Sequence, residues 1–264
     1  MLYWLLKWIF IGPLLKAIFR PEAYGAEHVP DEGPAILACN HLSYTDWLFM
    51  PLVIPRRVTF VAKAEYFEKG RGLKGWGQRT FFGGTGQVPI DRSGGRASEG
   101  ALRTGLRILD KGELFGIFPE GTRSHDGRLY RGRTGIARLA LEAKVPVIPV
   151  GVLRTDEVAP PGKIFGKRVR PVIPIAVLRT DEVAPPGKIF SKLVRPVIRF
   201  GKPLDFSRYE GMESDRYILR AITDEIMYEI MRLSEQEYVD MYATRAKEEA
   251  KRAEKEPEPA DDGG

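Results

Sequence analysis

The sequence predicts an α/β fold, a single domain with a mostly buried sheet flanked by helices and preceded by an N-terminal interfacial helix. Three observations point there. Short apolar, β-branched runs alternate with stretches of helical periodicity from residue 21 onward. The chain has 264 residues, 43% of them hydrophobic, with four Trp, 13 Phe and 10 Tyr, enough for one substantial core. Residues with chemical character fall just after strand-like runs, where α/β folds place their chemistry.

Composition also excludes classes of function. One cysteine, Cys39, rules out an intramolecular disulfide framework and fits a reducing compartment. His28, His41 and His125 are too scattered to ligate a metal, and the residues imply no bound cofactor. The net charge of +6 is uneven. Glu254, Glu256, Glu258, Asp261 and Asp262 against Lys255 leave the tail 254–264 at −4, so the remainder carries +10. Such a body suits an anionic membrane or a phosphorylated small molecule. Nucleic acid is not expected as a partner, since no reading motif is present and the basic residues are not interleaved with aromatics.

The elements follow in order. Residues 1–20, MLYWLLKWIFIGPLLKAIFR, are apolar but interrupted by Lys7, Pro13 and Lys16, which barely meets the roughly 20 apolar residues of a spanning helix. Trp4 and Trp8 lie one helical turn apart, and lysines can snorkel toward headgroups, so a helix lying in the interface fits better than the two alternatives, a true span or a buried core helix. Strands are expected at 34–40, 58–62, 114–118, 145–152 and 195–201, and helices at 44–50, 96–111 and 133–143. The basic, Gly-rich run 63–79 reads as a solvated loop or part of a substrate approach. Ile218, Ile222, Ile226 and Ile230 recur every four residues and mark an amphipathic helix packed on the domain, which extends over 21–252. Residues 253–264, acidic and Pro-rich, are expected to be disordered.

Between 146 and 195 the chain repeats itself. PVIPVGVLRTDEVAPPGKIFGKRVR (146–170) is followed at once by PVIPIAVLRTDEVAPPGKIFSKLVR (171–195), with four of 25 positions changed. Two copies cannot build a solenoid. One is expected to pair in the sheet, and the other to project as an edge strand or loop.

His41 follows the first strand and precedes Asp46 by five residues. Were 41–46 all helical, steps of about 100° would set the two side chains about 140° apart. With Ser43 as N-cap and the helix starting at Tyr44, the approach loop can fold them together. Asp46 then also stands where a capping box would place it, a purely structural role. FPEGTRS (118–124) follows another strand. Gly121 frees backbone N–H groups to turn inward, Thr122 adds a donor, and Arg123 can fork onto a phosphate. GQVPIDR (86–92) sets Arg92 beyond a strand-like run, where an ion pair with Asp91 is the competing explanation.

Asn40-His41 with Asp46, then Gly86 to Arg92, Phe118 to Ser124 and VPVIPV (145–150) stand in an order that resembles the glycerophospholipid acyltransferase family, specifically the 1-acylglycerol-3-phosphate O-acyltransferases. Pro89 departs from the pattern, at a position usually aromatic. The resemblance implies an O-acyltransferase in which His41 is the general base for the hydroxyl of a lysophospholipid attacking an acyl thioester of coenzyme A or a carrier protein. Asp46 would orient and stabilise the imidazole. By the same resemblance Arg92, Glu120, Gly121, Thr122 and Arg123 bind the glycerophosphate, with Glu120 orienting an arginine or bonding a glycerol hydroxyl. Lys63, after the second strand, is a further candidate for phosphate contact. The expected setting is peripheral or monotopic, on the cytoplasmic face of an anionic membrane. The alternatives are a non-catalytic membrane-surface lipid-binding protein, with His41 structural, and an acyltransferase acting on a different lysolipid or polar lipid acceptor.

Overall fold

The computed structural model describes residues 1–64, 67, 72–90, 97–159 and 194–253. Its spine is β2 (Ala35–Cys39), all five residues buried because they are apolar on both faces of the sheet. β5 (Leu114–Ile117) pairs with it on one side and β7 (Val147–Leu153) on the other, both parallel. β3 (Val58–Lys63) and β4 (Gln87–Ile90) extend the sheet beyond β5, again in parallel. Beyond β7 lies β8 (Val197–Phe200), antiparallel to it, and then β1 (Glu22–Tyr24), parallel to β8. The seven-stranded order is β1-β8-β7-β2-β5-β3-β4. A separate pair joins β6 (Leu129–Tyr130) to β9 (Tyr238–Val239).

Both faces are covered, because successive strand residues point to opposite sides. Ala35, Leu37 and Cys39 meet Trp47, Phe49, Met50 and Leu52 of α2 (Asp46–Leu52) and Phe82 of α3 (Gly72–Gly84). Ile36 and Ala38 meet the other layer. It is built from α4 (Ala97–Leu109), α5 (Gly135–Ala143) and α7 (Arg216–Ser234), while the short α6 (Thr155–Val158) follows β7 and buries Val158 in the first layer. The chain's described part ends in α8 (Ala243–Ala253). Each fully buried Ile or Leu here contributes roughly 1.5–3 kcal/mol. In α7 the four-residue period works as expected: Ile222, Ile226 and Ile230 are fully buried, and Asp215 caps the helix by accepting from Tyr217 and Ile218 N–H at 2.8 and 3.1 Å.

Three expectations need correction. Within the run 63–79, residues 72–79 are helical rather than loop, since Gly72–Gly84 forms α3, and burial of Phe82 in the core holds this helix despite its glycines. α2 starts at Asp46 rather than Tyr44, because a turn at Tyr44-Thr45 intervenes and Thr45 becomes the N-cap. The third concerns the N-terminus. Leu2–Phe19 is one helix, α1, whose middle turn Leu6–Phe10 is π-type, with Ile11 N–H bonding Leu6 O five residues back. Lys7 does not snorkel outward. It is buried, and its Nζ donates to the carbonyls of Ile54 at 2.7 Å and Arg56 at 3.0 Å. Lys16 is exposed, with Nζ 5.0 Å from the Trp8 ring centre, as a snorkelling lysine requires. Trp4, Leu5, Trp8, Ile9, Phe10 and Leu14 are exposed, so the outward face of α1 is apolar.

Of the tandem repeat, the first copy holds the sheet, as β7 between β2 and β8. Residues 160–193 lie outside the described residues, and with them most of the second copy and its expected projection. The tail 254–264 lies outside them too.

Candidate active site

β7, β2 and β5 are adjacent and parallel, so their C-terminal ends open on one edge of the sheet. Three chain segments separated by up to about a hundred residues are thereby brought together: His41 and Asp46 after β2, Phe118 to Ser124 after β5, and Thr155 after β7. Asn40 fixes the first of these. Its amide donates to Val152 O at 2.8 Å and accepts from Val152 N–H at 2.7 Å, clamping the end of β2 to β7, and it also donates to Gln236 at 2.7 Å.

His41 and Asp46 touch. Nδ1 lies 2.8 Å from Asp46 Oδ2, with the imidazole 17% exposed and the carboxylate fully buried. Asp46 Oδ2 also accepts from Ser43 N–H at 2.8 Å, and Oδ1 accepts from Thr155 Oγ–H at 2.5 Å. Both Asp46 oxygens already accept, from Ser43 N–H and Thr155 Oγ–H, so Asp46 faces His41 as an acceptor and the imidazole proton is assigned to Nδ1, leaving Nε2 with its lone pair. The bond to Ser43 N–H closes the turn that precedes α2 and is not a capping box, since the N-cap is Thr45 and makes no side-chain cap bond. Ser43 Oγ accepts from Thr45 N–H at 3.2 Å and donates to Ala159 O at 2.8 Å. One residue closes the turn and orients the imidazole.

The His41 ring is stacked on Phe118, 3.9 Å between centres and 13° between planes. Burial pushes its pKa below the ordinary 6.5. Asp46 opposes this, while Arg123 and Lys247 add to it. The imidazole is therefore neutral, and available to take a proton, at neutral pH.

Glu120 departs from expectation. It is 1% exposed, and in place of an arginine or a glycerol hydroxyl its oxygens take two backbone groups, His41 N–H at 3.0 Å and Tyr130 N–H at 2.9 Å. Ser124 N–H donates to His41 O at 2.8 Å, so the loop after β5 grips the main chain of His41 on both sides. Burial drives the Glu120 pKa up to about 7 despite these bonds. Gly121 adopts φ +74°, a conformation that favours glycine, whereas a Cβ there would meet only the movable Arg133 side chain, at 2.9 Å from Nε. Thr122 and Arg123 are half-buried; the Arg123 guanidinium lies 5.8 Å from the Tyr44 ring centre, and Thr122 Oγ accepts from Lys247 Nζ at 3.0 Å.

Two predicted residues are not drawn into this geometry. Arg92 lies outside the described residues, and Lys63 is placed only by its backbone, at the end of β3 opposite Ile90. Sequence reasoning missed Thr155, Lys247 and Gln236. Thr155 had a usable signal, a hydroxyl just past a strand end. Lys247 lies 125 residues from Thr122, with no local feature to single it out.

Comparison with known proteins gives consistent matches. The family model described as Acyltransferase matches residues 20–153. Over 133 residues the chain is 34% identical to 1-acyl-sn-glycerol-3-phosphate acyltransferase alpha from Homo sapiens, covering 50% of this chain and 44% of that one. Over 130 residues it is 31% identical to the 1-acyl-sn-glycerol-3-phosphate acyltransferase of Bacillus subtilis (strain 168), covering 48% and 60%. It is 29% identical over 159 residues to the chloroplastic enzyme BAT2 of Brassica napus, covering 58% and 44%. The matched region thus spans about half the length of these relatives. Among solved structures, the 1-acyl-sn-glycerophosphate acyltransferase PlsC from Thermotoga maritima has the same fold, at TM-score 0.50 and 21% identity over 83% of this chain and 79% of that one.

Proposed function

We propose, on the premise that this chain belongs to the acyltransferase family, that it transfers an acyl chain from an acyl thioester to the free hydroxyl of lysophosphatidic acid, giving phosphatidic acid. One observation carries the reading: a neutral, Asp46-oriented His41 beside a glycine-hydroxyl-arginine loop on the same sheet edge. The curated relatives, named for that reaction, support the acceptor.

His41 Nε2 takes the proton of the lysophospholipid hydroxyl as its oxygen attacks the thioester carbonyl. Asp46 stabilises the imidazolium that results. When the tetrahedral adduct collapses, the C–S bond breaks, the acyl group stays on the lipid oxygen, and the proton passes from Nε2 to the leaving thiolate. The free thiol of coenzyme A or of a carrier protein is released. No enzyme nucleophile is needed, because the lipid hydroxyl itself attacks the thioester carbonyl. Base catalysis of this kind supplies about 10²–10⁴-fold. Arg123, with Arg92 and Lys63 as further candidates, holds the acceptor phosphate. The apolar outward face of α1 lies in the cytoplasmic face of an anionic membrane, from which a lipid acceptor enters laterally.

The test is acyl transfer to a panel of lysolipids with products identified by mass spectrometry, run on the wild-type chain and on His41→Ala. Acylation of lysophosphatidic acid that His41→Ala abolishes, with vesicle binding intact, is expected. Lipid binding with no turnover in either protein would make this a lipid-binding protein instead.

A further inference from the structure

The loop after β5 gathers more positive charge than its sequence shows. Lys247, from α8, is half-buried with Nζ 3.0 Å from Thr122 Oγ and bonded also to the Arg123 carbonyl. Arg133 reaches the same loop, its Nε 2.9 Å from the Cβ position of Gly121, and donates to Thr244 Oγ at 3.4 Å. Among the described residues none of Arg123, Arg133 and Lys247 has a carboxylate within ion-pair distance. The one acid beside them, Glu120, has both oxygens committed to backbone N–H groups. Arg123 and Lys247, both half-buried beside one loop, repel unless an anion joins them, and the exposed Arg133 adds its charge from the rim.

We propose that Lys247 is a phosphate-recognition residue, its ammonium acting with the Arg123 guanidinium on the phosphomonoester of the acceptor, so that α8 completes the acceptor site. The inference rests on the acceptor assigned above and adds a residue outside every sequence block that suggested it. Geometry favours acceptor over donor. In lysophosphatidic acid the reacting hydroxyl and the phosphorus are separated only by two glycerol carbons and one ester oxygen, so the phosphate must lie close to the base. The Lys247 loop meets this, being tied through Ser124 N–H to the His41 carbonyl. The phosphates of a coenzyme A thioester sit at the far end of a pantetheine arm. Thr122 Oγ and the Arg123 carbonyl hold the ammonium in place without neutralising it, leaving its charge for the ligand.

The experiment uses the full chain with Lys247→Met, Lys247→Gln and Lys247→Arg. Acceptor and donor KM are measured in mixed micelles of lysophosphatidic acid, and thermal protection is measured with glycerol 3-phosphate against a glycerol blank. For Lys247→Met the acceptor KM is expected to rise about tenfold while donor KM and kcat stay within about twofold, and Lys247→Arg to remain within about threefold of wild type, as one charge-assisted contact implies. Protection by glycerol 3-phosphate should be present in the wild type and absent in Lys247→Met. An acceptor KM and a protection unchanged in Lys247→Met overturn the inference. Protection that depends on Lys247 in a chain that acylates no lysolipid would leave the inference standing and remove the acceptor assignment. If Lys247→Met melts below the wild type, Lys247→Gln decides on the same readouts, since it keeps a donor to Thr122 Oγ without the charge.

Discussion

At the scale of single residues, the site is an arrangement of hydrogen bonds around one imidazole. His41 is neutral because it is buried, and it remains a usable base because Asp46 partly restores its basicity. This gives a pH signature. The active form is unprotonated, so kcat/KM should rise with pH through a value below 6.5 and then level off. Asp46→Asn removes the group that raises the His41 pKa, so the acidic limb moves to lower pH while the plateau falls by about 10–10³-fold, orientation being part of the base's contribution. A pH–rate profile that shifts the other way would remove Asp46 from the mechanism. Glu120 acts through the backbone. Glu120→Ala strands the N–H groups of His41 and Tyr130, which should cost about 1–3 kcal/mol of stability for each that finds no water. Because the loop carrying His41 loses its grip, kcat should fall more than acceptor KM rises. Thermal melting and steady-state kinetics on one preparation check both.

At the scale of elements, the tandem repeat poses a choice that packing decides. The copies differ at 151, where the first has Gly and the second has Ala176. In β7 a Cβ on Gly151 would lie 2.5 Å from the Leu233 carbonyl carbon and 2.7 Å from Leu233 Cβ, so α7 packs directly on that backbone. The second copy carries the offending methyl and cannot take the place of β7 unless α7 moves. Gly151→Ala should therefore destabilise the protein by about 1–3 kcal/mol, the usual cost of overpacking. Exchanging the residues, Gly151→Ala with Ala176→Gly, should transfer hydrogen-exchange protection from 147–153 to 172–178; protection that stays put would mean Gly151 does not select the copy. Deleting 171–195 is expected to leave a folded, active chain. The first copy already supplies Thr155 to Asp46 and Ala159 to Ser43, and the deletion brings Val169-Arg170 to Pro196 in place of the identical Val194-Arg195. An insoluble product would show that the second copy is needed.

At the scale of the whole molecule, the two sides of α1 differ. Its inner face is fastened by buried Tyr3 and Phe19 and by Lys7 on the Ile54 and Arg56 carbonyls, so removing the helix would uncover core. Membrane attachment is better tested on the outer face. Trp4→Ser with Trp8→Ser should leave melting unchanged and weaken vesicle partitioning roughly thirtyfold, since two indoles leaving the interface at about 25 cal/mol per Å² of apolar area account for about 2 kcal/mol. Flotation at fixed lipid measures it. An unchanged partition would move the membrane surface elsewhere on the basic body.

The sequence alone determined the alternation that makes an α/β fold, five of the sheet's strands within a few residues, the His41–Asp46 pair and the loop after β5, because periodicity, capping and strand-end position are local properties of a chain. Tertiary structure alone decided that β8 runs antiparallel, that Lys7 turns inward, that Glu120 serves the backbone, that the glycine-bearing copy fills the sheet, and that Thr155 and Lys247 belong to the site. Each of these depends on groups distant in sequence meeting in a packed interior. There a single methyl, or a polar atom without a partner, costs as much free energy as any local preference supplies.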